Sequence, residues 1–414
     1  MRARRIFYAF VTLCVIVLGT LAVYRAAFNP LERTDYTVYI AAGRALLDQQ
    51  DIYLAQSARG WRYVYPPPFA IPLAFLARMP LALGALLWYL LTVAAIGASV
   101  VMSAALLGDT PLKRKPHLVY GLPLLGLATL LTSGILRSQA SPFMYFFMIA
   151  AFYFQLKNRP IAAGFSLACA AVLKVFPIVL IVYFIMRRQW RAVWATVAAL
   201  ALLGIVLPSL YWGWQFNLDQ IARWIDVVGH PAIMENTNRA QVSSLYSQLL
   251  DASKPRNQSL EALFLSLHMP AGLARYASAA SAALMLAAMW AGARRIPPRL
   301  PAQTCQSTPH MAENLLCGAF ICWSLLISPI AEGHYFGALL LPLTILVGYV
   351  EQNSPNQRRK VQILAAGMAC LILVMILTAV RVTELWRPLC LATLALWLLC
   401  LGLILVHRPG NIET

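Results

Sequence analysis

The chain has 414 residues, 60% of them hydrophobic and 12% charged, with a mean hydropathy of +0.68 and a formal charge of +18. This composition excludes a soluble globular enzyme and a disordered chain, and points to an all-α, polytopic membrane protein. The basic residues fall in short clusters between apolar runs, with no basic domain to follow a phosphate backbone, so no nucleic-acid partner is expected.

The clusters read instead as topology signals and as contacts to anionic membrane lipids. A span needs on the order of 20 apolar residues, and cytoplasmic loops are enriched in Lys and Arg. With the N-terminus inside, the first span covers residues 7–27. It follows Arg2, Arg4 and Arg5, lacks a convincing cleavage site and is expected to be retained. Residues 68–77 are too short to cross and are expected at the interface. Further spans are expected at residues 82–107, 118–136, 142–156, 162–175, 176–186, 193–212, 271–291, 312–328, 335–350, 361–379 and 388–406. The returns fall at Lys113–Lys115, Lys157 and Arg159, Arg187 and Arg188, Arg294 and Arg295, Arg358–Lys360, and Arg408. This is about twelve transmembrane helices in a single integral membrane domain, residues 1–414. It places both termini in the cytoplasm and two large loops, 28–67 and 213–270, outside a bacterial inner (plasma) membrane.

Polar chemistry concentrates in those loops. The chain has only 15 acidic residues, yet Glu32, Asp35, Asp48 and Asp51 gather in the first loop. Apolar and small residues recur at helical spacing from Asp35 to Leu47, so Asp35 starts an amphipathic helix. A carboxylate there either caps the helix or acts as a general base at the membrane surface, and spacing does not rank the four acids. Lys174 lies between two apolar runs, at an outward turn before Val175-Phe176-Pro177. A cation in that setting either snorkels or meets an anion such as a lipid phosphate. Arg137 and Gln139 occupy the preceding outward turn and can join it. His334 and Glu332 stand between two spans, either as interfacial hydrogen-bonding residues or as groups orienting a phosphate or sugar hydroxyl.

In the second loop, Trp212, Trp214, Trp224, His230, Glu235, Asn236, Asn238 and Arg239 suit either an interface belt or sugar recognition. Asn257-Gln258-Ser259 formally matches an N-glycosylation acceptor. Eight scattered cysteines have neither zinc nor disulfide spacing, and no His, Asp and Glu group has metal-ligand spacing, so no metal and no cofactor are expected. No internal repeat appears, which weighs against an inverted-repeat lipid or solute transporter.

Taken in order, Asp35-Tyr36-Thr37-Val38-Tyr39, Asp51-Ile52-Tyr53, Tyr65-Pro66-Pro67-Pro68, Lys174-Val175-Phe176-Pro177, Asn257-Gln258-Ser259-Leu260 and Ser328-Pro329 with His334-Tyr335 resemble glycosyltransferase family 87. These are polyprenol-phosphate-mannose-dependent alpha-1,2-mannosyltransferases of the GT-C superfamily. The resemblance implies a GT-C fold with extracytoplasmic interfacial helices. It also implies inverting transfer of a mannosyl or related residue from a polyprenyl-phosphate sugar to a hydroxyl of a glycolipid or glycan acceptor. An aminoarabinose- or arabinose-type transferase is the alternative among enzymes. Asp35 aligns with the catalytic aspartate. Lys174 and His334, with Arg137 and Gln139, are expected to line the donor-phosphate cavity. Tyr39, Tyr65, Asn257, Gln258 and Glu332 are candidate acceptor or sugar contacts. The chain departs from the family where Ala331-Glu332-Gly333 precede His334, in place of the usual aromatic residue and second histidine.

Overall fold

The computed structural model describes residues 2–29, 34–108, 116–229, 253–296, 311–353, 362, 365–369, 371 and 387–406. Glu32, the five residues from His230 to Arg239 named above, the basic clusters at 113–115, 358–360 and 408, and nearly all of the expected span 361–379 lie outside the described residues. Among the described residues the architecture is helical, with two isolated bridges, Gln56 with Arg62 and Asn257 with Glu332.

In chain order, α1 (Arg2–Val23) runs on through a π-helical turn, and α2 (Asp35–Leu47) and the short α3 (Ala70–Ala77) follow. Next come α4 (Leu81–Ala105), α5 (Pro116–Val119), α6 (Gly121–Gly126), α7 (Ala128–Leu136), α8 (Ser141–Leu156), α9 (Pro160–Leu173), α10 (Ile181–Met186) and α11 (Trp190–Ala201). The remainder comprises α12 (Leu207–Trp212), α13 (Trp214–Trp224), α14 (Leu260–Ser266), α15 (Ala271–Ala293), α16 (Met311–Ile327), α17 (Leu340–Asn353) and α18 (Pro388–Val406).

Among the described residues six helices are long and apolar enough to cross a membrane, or seven if the bent pair His117–Gly126 and Ala128–Leu136 forms one span. The chain is therefore a multi-pass membrane protein. The expected count of twelve rests on the shorter apolar helices: Pro160–Leu173, Phe176–Met186, Ser141–Leu156 and Met311–Ile327 all fall below 18 residues. The expected continuous span at 118–136 is instead broken by 66° at Leu127, next to Pro123 and Gly126, where a missing N–H and a missing side chain weaken the helix.

One end of the bundle collects the start of α2, the end of α7, the start of α8, the end of α9 and the end of α16. Asp35 N–H donates to the Arg137 carbonyl (2.9 Å), and Ala140 N–H donates to the Tyr39 hydroxyl (3.1 Å). The other end gathers Arg187, Glu313, Ala293 and Ile296, tied together by the Arg187 guanidinium. The basic residues Lys157, Arg159, Arg187, Arg188, Arg294 and Arg295 follow helices that run toward that second end.

The first loop is a packed unit. Tyr36, Tyr39, Ile52, Tyr53 and Tyr63 have almost no accessible surface, and α2 lies directly on α3. Gly43 makes that approach possible: a Cβ there would sit 2.5 Å from the Leu73 carbonyl oxygen. Because the obstacle is backbone, Gly43→Ala should destabilise the protein by about 1–3 kcal/mol, the usual cost of overpacking. A lowered melting temperature of the detergent-solubilised protein, followed by size-exclusion chromatography, checks this.

Candidate active site

Asp35 begins α2 after Thr34, which is extended (φ −121°, ψ 140°) and makes no side-chain cap. The Asp35 carboxylate is held by tyrosine. Oδ2 accepts from the Tyr65 hydroxyl (3.2 Å), and the Tyr39 hydroxyl lies 3.5 Å away. Tyr39 in turn donates to Tyr65 (2.9 Å). The result is a relay running from Ala140 N–H through Tyr39 and Tyr65 to the carboxylate. Each hydroxyl both donates and accepts, so the relay orients Oδ2 and leaves Oδ1 without a donor among the described residues.

Aromatic packing fixes the relay. Tyr39 meets Tyr65 (5.5 Å, 74°), Phe69 (5.5 Å, 78°) and Trp88 (5.1 Å, 51°). Trp88 donates to the Ser138 carbonyl (3.2 Å), and Tyr53 donates to the Tyr65 carbonyl (2.9 Å). Both bonds tie the aromatic wall to the backbone, which suits tyrosine and tryptophan because each carries an apolar body and a polar tip.

Lys174 leaves the end of α9 in an extended conformation (φ −151°, ψ 130°), which carries its side chain off the helix axis. Its ammonium lies 3.7 Å from the centre of the Tyr335 ring and 5.3 Å from that of Tyr65. Tyr335 is itself stacked on Phe176 (5.6 Å, 5°). Among the described residues no carboxylate forms an ion pair with Lys174, and cation–π contacts position its charge.

The loop after α16 supplies the third wall. Glu332 pairs with Arg256 (3.2 Å) and lies 3.7 Å from His334 Nδ1. His334 is buried, with Nε2 unpartnered among the described residues. The loop is held from below by Asn257, whose Nδ2 donates to the Pro329 carbonyl (2.9 Å) and whose Oδ1 accepts from Ala331 N–H (2.8 Å). Gln258 N–H donates to the Ala331 carbonyl (2.8 Å). Its side chain spans Pro255 O (2.8 Å) and Leu389 N–H (3.2 Å). Asn257, Gln258 and Ser259 are buried, so the glycosylation motif is a scaffold with no accessible acceptor amide in the folded protein. Sequence reasoning missed Arg387, which donates to the carbonyls of Ser253 (2.8 Å), Lys254 (2.6 Å), Asn257 (2.9 Å) and Ala262 (3.2 Å). It also missed Arg256 and Tyr335 as partners of Glu332 and Lys174.

Asp35 and Lys174 keep some accessible surface, and both lie against Tyr65. Burial pushes Asp35 up to about 6, against the opposing pull of the Lys174 charge, the Tyr65 hydrogen bond and Arg137; Glu332 adds to the rise. Burial pushes Lys174 down to about 8, while Glu332 and Asp35 oppose that fall. Arg137 is exposed and close enough for its charge to act on Asp35, whereas Gln139 is buried. Of the residues singled out in the sequence, Asp35, Tyr39, Tyr65, Lys174, Glu332 and His334 therefore form one cluster, and Asn257 and Gln258 support its loop. Among the described residues no three His, Cys, Asp or Glu side chains stand together as a metal site.

A tyrosine-held carboxylate and an ammonium with no ion-pair partner among the described residues, gathered at one end of a multi-pass helical bundle, define a membrane protein with a polar cluster among its helix ends. The model of glycosyltransferase family 87 matches residues 63–329, and the chain belongs to that family. Two solved structures are similar over nearly the whole chain. One is ArnT from Cupriavidus metallidurans bound to undecaprenyl phosphate, with 15% identity, 98% of this chain and 78% of that one covered, and a TM-score of 0.43. The other is the same protein in its apo state, with 14% identity, 99% and 79% coverage and a TM-score of 0.44. No match is found among curated protein sequences.

Removing the Asn257 amide leaves the Ala331 N–H and the Pro329 carbonyl unpaired, at about 1–3 kcal/mol per buried group. Asn257→Ala should therefore speed amide hydrogen exchange in the 328–335 loop by roughly tenfold or more, read by mass spectrometry against an unchanged α4.

Proposed function

We propose that the chain transfers a mannosyl or closely related glycosyl residue from a polyprenyl-phosphate sugar to an acceptor hydroxyl on the extracytoplasmic face, with inversion. The observation that carries this reading is the pairing, around Tyr65, of an oriented carboxylate with an ammonium that has no ion-pair partner among the described residues. A general base and a leaving-phosphate cation are the two charges a single displacement at an anomeric carbon requires. Membership of family 87 supports the reaction class.

In this mechanism the acceptor O–H gives its proton to Asp35 Oδ1 as its oxygen attacks the anomeric carbon. The bond from that carbon to the phosphate oxygen breaks, and its electron pair leaves with polyprenyl phosphate. Lys174 stabilises the departing charge, with Arg137 nearby and His334 Nε2 available to the phosphate or to a sugar hydroxyl. A beta-linked donor then yields an alpha product. An aspartate raised to about 6 is a stronger base than an ordinary carboxylate and is still ionised at neutral pH. The apolar aromatic walls strengthen both charges by excluding water. The glycolipid or glycan acceptor enters from the side of Glu332 and Tyr65. The lipid chain of the donor enters laterally between helices.

Labelled polyprenyl-phosphate mannose, with arabinose- and aminoarabinose-carrying donors as alternatives, tests the reaction on purified protein. Asp35→Asn should lower turnover by about 10²–10⁴-fold, the range for loss of a positioned general base, while donor binding persists. Full transfer by a folded Asp35→Asn protein would overturn the base assignment, and transfer from none of the donors would overturn the reaction class.

The same pair sets the pH dependence. Asp35 must be ionised, so kcat/KM rises with pH through about 6; Lys174 must be protonated, so kcat/KM falls as pH rises through about 8. The two limbs belong to the interacting pair. Lys174→Arg should flatten the alkaline limb and keep the acidic one, which a pH–rate profile on each protein measures.

A further inference from the structure

The end of the bundle away from Asp35 contains a cavity of ≈ 620 Å³ between α8, α10, α11, α15 and α16. It is remote from the chemistry. Helix α8 starts at the Tyr39 relay and ends at the cavity, so its 16 residues separate the two by about 24 Å at 1.5 Å per residue. Nothing in the glycosyl-transfer reading uses it.

Its walls combine three features. Arg187, Arg188 and Arg294 line it with Glu313 as the acidic member. Arg187 is consumed by Glu313, donating to Oε1 (3.1 Å) and Oε2 (2.8 Å), while Tyr183 donates to Oε1 (2.6 Å). Arg188 and Arg294 have no carboxylate partner among the described residues and stand exposed at the mouth, Arg294 over the Trp290 ring (5.4 Å). Trp190 and Trp290 flank that mouth, each 54% exposed, as tryptophans do at a membrane interface. Deeper in, Gln155 is only 6% exposed, and its Oε1 is buried without a hydrogen-bond donor among the described residues. A buried acceptor left unpaired is costly, and here it lines an open volume.

We propose that this cavity binds the headgroup of an anionic phospholipid whose phosphodiester is followed by a hydrogen-bond-donating alcohol. The phosphodiester meets Arg188 and Arg294, whose planar forks match phosphate oxygens. The headgroup hydroxyl donates to Gln155 Oε1. The acyl chains run along the exposed Ile185 and the lining residue Leu286. The volume lies within the range of small-molecule sites. The proposal is independent of the glycosyl-transfer reading and holds or fails without it.

Native mass spectrometry of the full chain in detergent, titrated with phosphatidylglycerol, provides the test. Arg188→Ala/Arg294→Ala should weaken binding tenfold or more. Lys157→Ala/Arg159→Ala removes the same charge from the same end, outside the cavity, and should change it less than twofold. Phosphatidylmethanol carries the phosphodiester without a headgroup donor and should bind wild type several-fold more weakly than phosphatidylglycerol. Gln155→Met, which removes an unpaired polar group without adding one, should erase that preference while the protein stays folded. Equal losses in the two double variants would overturn the site as a general charge effect. Inorganic phosphate or glycerophosphoglycerol competing at the lipid's own concentration would overturn the lipid as its occupant.

Discussion

The Tyr65 side chain is the contact on which the charged cluster depends. It donates to Asp35 and accepts from Tyr39, and its ring faces the Lys174 ammonium. A carboxylate and an ammonium set among aromatic walls would each be neutralised by burial if left alone. The structure keeps both by giving each a polar or π partner that falls short of a full counter-charge. Tyrosine suits this role, since its hydroxyl stabilises an anion at one end while its ring face attracts a cation. A lysine–aspartate ion pair in the same place would satisfy both charges and leave nothing for a substrate to gain.

That balance explains why so much of the first loop is buried. The loop carries no regular structure between Leu47 and Pro67 apart from turns and one isolated bridge, yet Ile52, Tyr53 and Tyr63 are almost inaccessible. Their packing holds Tyr65 by its backbone: Tyr53 donates to the Tyr65 carbonyl and Tyr63 to the Pro66 carbonyl (3.1 Å). Helix α13 contributes by the same device from the other side. Gln220 accepts from Ile52 N–H (3.2 Å), and Trp224 donates to the Val64 carbonyl (3.3 Å). Side chains of α13 thus hold the backbone of the first loop at Ile52 and Val64.

Local signals were legible in the sequence and long-range ones were not. The helical period from Asp35 to Leu47 matches α2 residue for residue, because apolar spacing and an acidic first turn act within a few residues. Lys174 stood out because a cation between two apolar runs is costly wherever it occurs. Arg387 gave no such sign. It precedes the proline that opens α18, where a topology residue is the ordinary reading, and its four carbonyl partners come from positions more than 120 residues earlier. Asn257 was legible as a motif but not as a support, since its partners Pro329 and Ala331 lie 72 and 74 residues away. Helix ends and bends were not legible from apolar length: an extended Lys174 ends α9, and the segment leading to Arg137 is broken at Leu127.

Two segments connect the ends of the molecule, and each carries a site residue at one end and a member of the same ion pair at the other. Residues 174–187 run from the ammonium at Tyr335 to Arg187. Residues 313–334 run from Glu313 to His334. The Arg187–Glu313 pair is almost inaccessible on the glutamate side and is completed by Tyr183 and two backbone carbonyls, so its hydrogen-bonding demand is met and breaking it costs about 3–5 kcal/mol. A pair of that strength is poor evidence of added stability over an apolar core, because desolvation offsets most of its attraction. What it supplies is a specific connection. It joins the end of segment 174–187 to the start of α16. The segment that carries Lys174 at one end is thus anchored to α16 at its other end by a buried charge pair.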